Sequence, residues 1–334
     1  VTVGSATIPV DALDTQNVQP WAYFPQFDPK PTNSSTGALT WIGNVKKYKT
    51  LNNNLLDRGN EIITDNNGLL KDDLNDYWAD TSVTKTITKE VNGNKISFKV
   101  KVGGALSQLP VGYNANNTPI ERRIFTDRTI QVSSTDSTTN QIGSISSGNL
   151  KKIGRNDFIS SSVNQFKEDP KRGYILSLLG YNVSRELASS INSLPKNDTN
   201  QTQLERLVSS NSALLRQMGA VMHSRPILLT QQGTTKYENE VLSYDDRDDL
   251  ILFGSTQGLL HIVKAGKTAT DTEAGKELFT FVPNEMIENQ AEAFLNQESQ
   301  SGTLQYGIDG QWTAYTEYVT QKGSNSTDEP VVTV

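Results

Sequence analysis

Short apolar runs separated by turn residues dominate the hydrophobic pattern of the last third of the chain. Three of them follow one another in the order of an antiparallel meander: Leu250–Phe253, Leu259–Val263 and Glu277–Val282. Gly258 supplies the positive φ that a tight hairpin needs between the first two runs. Pro283, which cannot donate to a strand ladder, ends the third. The pattern predicts three consecutive antiparallel strands, which is the order found in a propeller blade.

The N-terminal half also carries strand patterns. Thr40–Lys49 alternates along a semi-apolar face, and residues 83–102 form two alternating runs on either side of Asn92-Gly93. Asn-Gly between such runs is the strongest short hairpin signal. Pro20–Pro29 is dense in aromatic residues and prolines, and its prolines exclude a helix and favour extended backbone.

Helical spacing is confined to residues 156–218. Apolar positions predict one helix from Asn156 towards Pro170 and a second, short one over Tyr174–Leu179. A third is predicted over Gln203–Met218, where Thr202 and Glu205 form a capping box and Gly219 ends the helix. These helices interrupt a β-rich chain, and we interpret them as an insertion packed on a sheet.

The pattern predicts three parts: a β-rich part with an aromatic and proline-rich opening segment at 1–155, the helical insertion at 156–218, and blades at 219–334. The first and third parts are compatible with a single domain. Ser133–Gly154 is rich in Ser, Thr, Asn and Gly, and is interpreted as loop with at most a short strand. Gln311–Val319 is predicted as a strand. Val331–Val334 is predicted as a strand without a partner, which suggests a fragment.

The amino-acid composition excludes several classes of function. The 334 residues contain 31 Lys+Arg and 37 Asp+Glu, a net charge of −6, so no global basic field attracts nucleic acid. Cysteine is absent, which excludes disulfides, thiolate zinc sites and cysteine nucleophiles. No run of about 18 apolar residues predicts a transmembrane helix, and the first residues lack signal-peptide features.

Few residues offer catalytic or metal-binding chemistry. His223 lies beside Ser224 without a third group, and His261 lies within a predicted strand, so a hydrogen-bonded core histidine is the favoured interpretation for both. The carboxylate cluster Asp245–Asp249 could hold a hard cation, but Arg247 interrupts it and a solvated strand edge is favoured. The sequence identifies no catalytic and no cofactor-binding residue, and the metal ligands stay unknown.

The predicted blade carries a family resemblance. Thr256–Val263, followed by Ala274–Phe279 and Val282-Pro283, resembles a blade of the type IV pilus tip and biogenesis protein family PilY1/PilC, whose propeller is related to quinoprotein repeats. Two features depart from that pattern. Gln257 stands where the family usually has Asp, and the loop Ala265–Ala274 is longer than the family's turn.

Other segments resemble the same family in the same order along residues 20–319. They are Tyr23–Pro29 with Trp41–Tyr48, Gly103–Pro110 with Arg122–Thr126, Gly219–Pro226, and the strand-like Tyr306–Gly310. The family's aspartate-rich calcium loop is not found, so calcium is a cofactor implied by the resemblance alone.

The resemblance implies a mainly β fold, a quinoprotein-like propeller, modified or incomplete, with a helical insertion. It also implies a non-enzymatic bacterial protein, exported to the outer membrane or cell surface at the pilus tip. Such a protein supports pilus assembly or extension, adhesion, and in some cases twitching motility or DNA uptake. Its partners would be major or minor pilins and a host or abiotic surface, and Ser133–Gly154 and Ala265–Ala274 are the candidate contact loops.

Two alternatives stay open at this point. One is a fragment of a quinoprotein-type dehydrogenase, since such enzymes share the blade sequence. The other is a secreted carbohydrate-binding propeller of no particular family.

Overall fold

The computed structural model describes residues 2–3, 6–10, 18–29, 41–111, 116, 120–132, 142–159, 166, 169–193, 215–238, 241–267, 270–295, 305–315, 319–322 and 328–333. The chain is mainly β, with 39% strand and 16% helix. Its strands form one sheet of four, one sheet of eight and a separate hairpin, and none of these sheets closes within the described ranges.

The smaller sheet is an antiparallel meander near the N-terminus. Its strands, in spatial order, are β1 (Thr2–Val3), β2 (Trp21–Asp28), β3 (Ile42–Leu51) and β4 (Asn54–Leu56). The extended conformation expected for the aromatic and proline-rich segment is confirmed, because β2 pairs with β3 along its whole length. Asn52 and Asn53, both with positive φ, make the tight turn between β3 and β4.

The hairpin predicted at Asn92-Gly93 is present. It consists of β5 (Thr84–Val91) and β6 (Asn94–Lys101), which pair only with each other. Asn92 and Gly93 have φ of 53° and 78°, the left-handed conformation that a two-residue type I′ turn requires. A short helix, α1 (Gly104–Gln108), follows the hairpin.

The larger sheet has the spatial order β13-β14-β9-β10-β11-β12-β7-β8. Its strands are β7 (Ile124–Val132), β8 (Ile142–Ile153), β9 (Ile227–Glu238), β10 (Val241–Gly254), β11 (Leu260–Lys264), β12 (Glu277–Phe281), β13 (Val319–Lys322) and β14 (Asp328–Thr333).

The predicted three-strand meander is confirmed. Strands β10, β11 and β12 pair antiparallel in sequence order, and β9 pairs with β10 as a fourth, unpredicted strand. On the far side β12 pairs in parallel with β7, through Thr280 opposite Ile124. Strands β7 and β8, from residues 124–153, therefore share the larger sheet with the strands of residues 219–334.

Besides α1, four short helices lie outside the sheets in the described ranges. They are α2 (Asn156–Ile159), α3 (Arg172–Leu178), α4 (Arg185–Ser193) and α5 (Asn284–Gln290), the last continued by a 3-10 helix, Ala291–Phe294. The helix expected near Tyr174 is α3. The apolar side chains of α2 to α5 form one core with sheet residues such as Ile124 and Ile153.

Several sequence predictions need correction. The helix expected over 203–218 lies outside the described residues up to 214, and 215–218 are not helical. The segment 133–154 contains the twelve-residue strand β8, longer than the short strand expected, and its residues 146–150 are exposed at the edge of the sheet. Only residues 133–141 of that expected loop stay undescribed.

The C-terminal predictions were also wrong in part. Residues 306–315 contain no strand; 306–310 form a turn, and 316–318 lie outside the described ranges. The strand expected to lack a partner belongs to β14, which pairs with β13 on one side and β9 on the other. Its partners are distant in sequence, and a local pattern does not reveal them.

The two sheets meet through glycines. The Gly43 N–H donates to the Met218 carbonyl at 2.8 Å, and a Cβ built on Gly43 would lie 2.1 Å from the Gly219 carbonyl oxygen. A Cβ on Gly219 would in turn lie 2.4 Å from the Gln257 nitrogen. No side chain fits at either position, and the backbones of β3, 218–220 and the β10–β11 turn are therefore stacked in direct contact. This stack is called the glycine seam below.

Substituting Gly43 with Ala should destabilise the protein by about 1–3 kcal/mol, the usual cost of overpacking a dense interior. The measurement is urea unfolding followed by circular dichroism. Gly310→Ala is the matched control, since nothing lies within 4 Å of its Cβ position and its φ is not positive. A Gly43→Ala variant as stable as the control would show that the seam is not tightly packed.

Candidate functional site

Two of the segments that resemble the pilus tip family, Gly219–Pro226 and Tyr306–Gly310, meet at the β10–β11 turn, Ser255–Gly258. The Thr256 N–H donates to the Ala220 carbonyl at 2.9 Å, which docks the turn on the segment after Met218. Gly307 closes the other side, because a Cβ there would lie 2.4 Å from the Gly258 nitrogen. The turn is thus enclosed by a segment that precedes β9 and a segment that follows the 3-10 helix.

A second contact joins the Gly-Asn pair of β3 to the Gly-Gly-Ala motif before α1. The Asn44 amide donates to the Gly103 carbonyl at 3.0 Å and accepts from the Leu106 N–H at 3.0 Å. Gly103 and Gly104 have φ of 63° and 61°, and a Cβ on either would lie within 2.5 Å of a side-chain oxygen of Asp76 or Asn44. Both glycines are required by conformation and by space.

His261 is the centre of a fully buried polar network behind the turn. Its Nδ1 lies 2.9 Å from a carboxylate oxygen of Glu277, and its Nε2 lies 3.2 Å from the Ser255 hydroxyl. Arg122 binds the same carboxylate through two parallel hydrogen bonds of 2.9 Å each. The His261 ring also stacks on Phe253, with centroids 5.1 Å apart.

The charges in this network follow from its burial. Burial lowers the pKa of His261, and the neighbouring carboxylate does not reverse the shift, so the imidazole is neutral. Burial alone would raise the pKa of Glu277, but the charge of Arg122 and the hydrogen bond from His261 outweigh it and lower the pKa to about 2. The neutral ring therefore donates from Nδ1–H to Glu277 and accepts from the Ser255 hydroxyl at Nε2.

Ser255, His261 and Glu277 have the connectivity of a nucleophile, base and acid. The surroundings give this arrangement a packing role in the described conformation. Ser255 and His261 have no exposed surface, and the Ser255 N–H donates to the Leu259 carbonyl at 3.0 Å. The turn at 306–310 covers Ser255, whose carbonyl accepts from the Ile308 N–H at 3.3 Å. The network joins β10, β11, β12 and the segment before β7.

His223 lies in a different network, centred on Asp309. The buried Asp309 carboxylate accepts from the backbone N–H groups of Met222, His223 and Ser224 at 2.9–3.0 Å, and lies 3.2 Å from His223 Nδ1. Burial raises the pKa of Asp309, and the three N–H groups act against that rise. Sequence reasoning placed Asp309 in a strand and missed this role.

An open groove of about 450 Å³ runs along the turn above Asp309. It is lined by Tyr306–Trp312. The His223 side chain is 64% exposed, and its ring lies 6.0 Å from that of the exposed Tyr306. His261 is a hydrogen-bonded core histidine, as interpreted from the sequence, whereas His223 is hydrogen-bonded at the surface, and the two lie in separate networks. No group of three or more His, Asp or Glu side chains in the described ranges is arranged to hold a metal ion.

The carboxylate cluster 245–249 lies in β10, ahead of the part of this strand that pairs with β11. Its residues pair with β9 on one side, and the β11 ladder covers only Leu250–Gly254, so within the described ranges residues 245–248 lie at a strand edge on the other side, as expected from the sequence. Asp249 accepts from the Thr230 hydroxyl at 2.7 Å and the Gln19 amide at 3.2 Å, and it pairs with Arg247 at 2.5 Å. The Asp249 carboxylate is thus bound by other groups of the protein. The side chains of Asp245 and Asp246 lie outside the described part.

The loop Ala265–Ala274 is anchored at its start. The Ala265 carbonyl accepts from the buried Lys47 amine at 2.8 Å and from the Trp78 indole at 2.9 Å. Both end residues of the loop are buried. Residues 267, 270, 272 and 273 are exposed, while 268–269 are outside the described part. A contact surface on this loop is restricted to its middle.

No family model, curated protein or solved structure matches the chain. The likeness to the pilus tip family therefore rests on the motif segments alone. Within the described residues, no helix has the length and apolar character needed to cross a membrane.

Replacing Arg122 with Met should cost about 3–5 kcal/mol of unfolding free energy, because the Glu277 carboxylate then stays buried without its cationic partner. Urea unfolding at neutral pH measures the loss. Arg123→Met is the matched control one residue away; its side chain is exposed and its loss should change stability by no more than about 0.5 kcal/mol. If the two variants were equally stable, the buried ion pair between Arg122 and Glu277 would not contribute to stability as expected.

Lowering the pH should destabilise the protein in two steps, first through His261 and then through Glu277. The unfolded chain binds a proton at His261 more readily than the folded protein, so that stability contribution is lost as pH falls below the ordinary value of 6.5. Glu277 adds a second loss between its ordinary value of 4.5 and about 2. Unfolding free energies at pH 7.5, 6.0 and 5.0 should fall less steeply for His261→Gln than for wild type. Parallel curves would exclude His261 as the group responsible.

Proposed function

We propose that the chain is a non-enzymatic binding scaffold of the type IV pilus tip, which supports pilus assembly or extension and surface adhesion. Its partners in this proposal are pilins on one side and a host or abiotic surface on the other. Twitching motility and DNA uptake would depend on it indirectly, through the number of pili. An exported, cell-surface location is part of the proposal.

The observation that carries the proposal is the spatial convergence of the motif segments. Gly43 contacts Gly219, Asn44 contacts Gly103, and Asp309 receives the N–H of Ser224. The two residues of each contact lie in different segments that resemble the pilus family, up to 176 positions apart (219 minus 43). Chance similarities in unrelated segments would have no reason to contact one another at their most specific residues.

The blade-like meander also supports the proposal. Strands β9 to β12 form a four-stranded antiparallel unit in sequence order, which is the architecture of one propeller blade. We propose that this unit is a blade and that the larger sheet is a modified or incomplete propeller. A rigid β body of this kind presents its exposed loops and strand edges for binding.

The contact surface we propose consists of the middle of the loop 265–274 and the exposed edge strand β8. Both are solvent-exposed, and both are held by strands of the larger sheet. A calcium requirement stays part of the proposal through the resemblance only.

The test is deletion of the gene in the bacterium that carries it, followed by complementation. Deletion should reduce the pilin recovered by shearing, and it should reduce adhesion. A variant with Lys267, Thr270, Thr272 and Glu273 changed to Ser should restore the pili but not full adhesion. Wild-type amounts of pili and wild-type adhesion after deletion would refute the proposal.

A dehydrogenase is tested separately with the purified protein. The scaffold proposal predicts no visible absorbance band after incubation with a pyrroloquinoline quinone and calcium, and no reduction of an artificial electron acceptor by added alcohols. Either signal would favour the quinoprotein alternative.

A further inference from the structure

The hairpin β5–β6 stands apart from both sheets. Its two strands pair only with each other, and nearly all of its described residues are exposed on both faces. A two-stranded sheet alone is at best marginally stable. Here Val100 is buried at its base, the Lys101 N–H donates to Asp73 at 2.9 Å, and Lys89 pairs with Asp72, so the hairpin is held from one side while its tip residues, 92–97, are exposed.

The hairpin is also a positively charged element of a protein whose net charge is negative. Residues 84–101 contain five lysines and one glutamate, a net charge of +4. The whole chain has a charge of −6, so the remaining residues sum to −10 (26 Lys+Arg against 36 Asp+Glu). Positive charge is thus concentrated on the hairpin. An acidic ligand bound there is repelled least by the negative charges of the rest of the protein.

The two faces of the hairpin differ in chemistry. Residues opposite each other in the antiparallel register share a face, as the 2.8 Å contact between the Thr88 and Ser97 hydroxyls shows. This face, called the hydroxyl–lysine face, consists of Thr84, Thr86, Thr88, Glu90, Lys95, Ser97, Lys99 and Lys101. The other face carries the apolar residues Ile87, Phe98 and Val100.

Lysines on the hydroxyl–lysine face are available to a ligand. Lys95 and Lys99 are exposed and form no ion pair within the described part of the chain. Lys101 is 4.0 Å from Asp73, a weak and half-exposed contact. On a strand that rises about 3.4 Å per residue, these three lysines are spaced by roughly 14 and 7 Å in a line.

We propose that the hydroxyl–lysine face binds an acidic polysaccharide, with lysines on its sulfate or carboxylate groups and Thr and Ser hydroxyls on its sugar hydroxyls. The narrow, linear face fits one extended polyanion. It carries no apolar side chain. The apolar residues of the hairpin, including the exposed Ile96, lie on the other face with Lys85 and Lys89, so a membrane surface, which binds elements that combine basic residues with an apolar face, would contact that other face. The hydroxyl–lysine face carries no aromatic residue or arginine, on which nucleic-acid bases stack.

This inference is independent of the pilus proposal, because it concerns the purified chain and a ligand class. Either can fail without the other: loss of polysaccharide binding leaves the effect of gene deletion on pili untouched.

The experiment measures binding of the whole chain to heparin as the acidic polysaccharide, with neutral dextran as the carbohydrate control. The variant Lys95→Ser/Lys99→Ser/Lys101→Ser should bind more weakly by about fivefold per lysine, roughly a hundredfold in all, if each lysine contributes as it does at other anionic surfaces. The salt dependence should also fall, by about one unit of log–log slope per lysine. Thermal unfolding checks that the variant is folded.

The matched control is Arg123→Ser/Lys264→Ser/Lys276→Ser, which removes the same charge from positions outside the hairpin. It should keep heparin affinity within about twofold of wild type. Equal weakening in both variants, or no binding of heparin by wild type at low salt, would overturn the proposal. Salt-sensitive binding to phosphatidylserine vesicles or to single-stranded DNA in place of heparin would also overturn it, in favour of that partner.

Discussion

Gly43, Gly219 and the turn at Gln257 stack backbone on backbone, and the rest of the structure depends on this contact. A Cβ at either glycine would overlap the next backbone in the stack. The smaller sheet can approach the larger one only because both positions lack a side chain. Since packed interiors do not deform continuously, this distance sets where Asn44, Asp309 and the turn at 306–310 lie relative to the blade-like meander.

Buried polar groups complete the junction. Glu277 is held by Arg122 and His261, and Asp309 by three consecutive backbone N–H groups. Such groups are costly to bury unless every partner is in place, so they favour one arrangement of the surrounding strands over near alternatives. The hydrogen-bonded chain Ser255–His261–Glu277 has the same role in fixing the strands, because the Ser255 hydroxyl is enclosed by the turn at 306–310. We therefore expect binding on the outer surfaces, while the buried polar groups fix the arrangement of the strands.

Local sequence signals predicted the elements that local chemistry determines. The β10–β12 meander follows from apolar runs ended by Gly258 and Pro283, and the β5–β6 hairpin from Asn92-Gly93. The full length of the edge strand β8 was not predicted, because its exposed residues lack an apolar alternation. The partners of β14 and the turn at Asp309 were not found either, because both depend on residues far away in sequence. The motif glycines were noticed only as a resemblance; their reason, contact between distant backbones, is visible only in three dimensions.

Hydrogen–deuterium exchange of the native protein tests the glycine seam most directly. If the seam fixes the fold, amides of Gly43, Thr256 and Ser224 should exchange together, among the slowest in the protein, and only through global unfolding. Rapid exchange at these amides while the strands of the larger sheet stay protected would show that the two sheets part easily. That result would contradict the account.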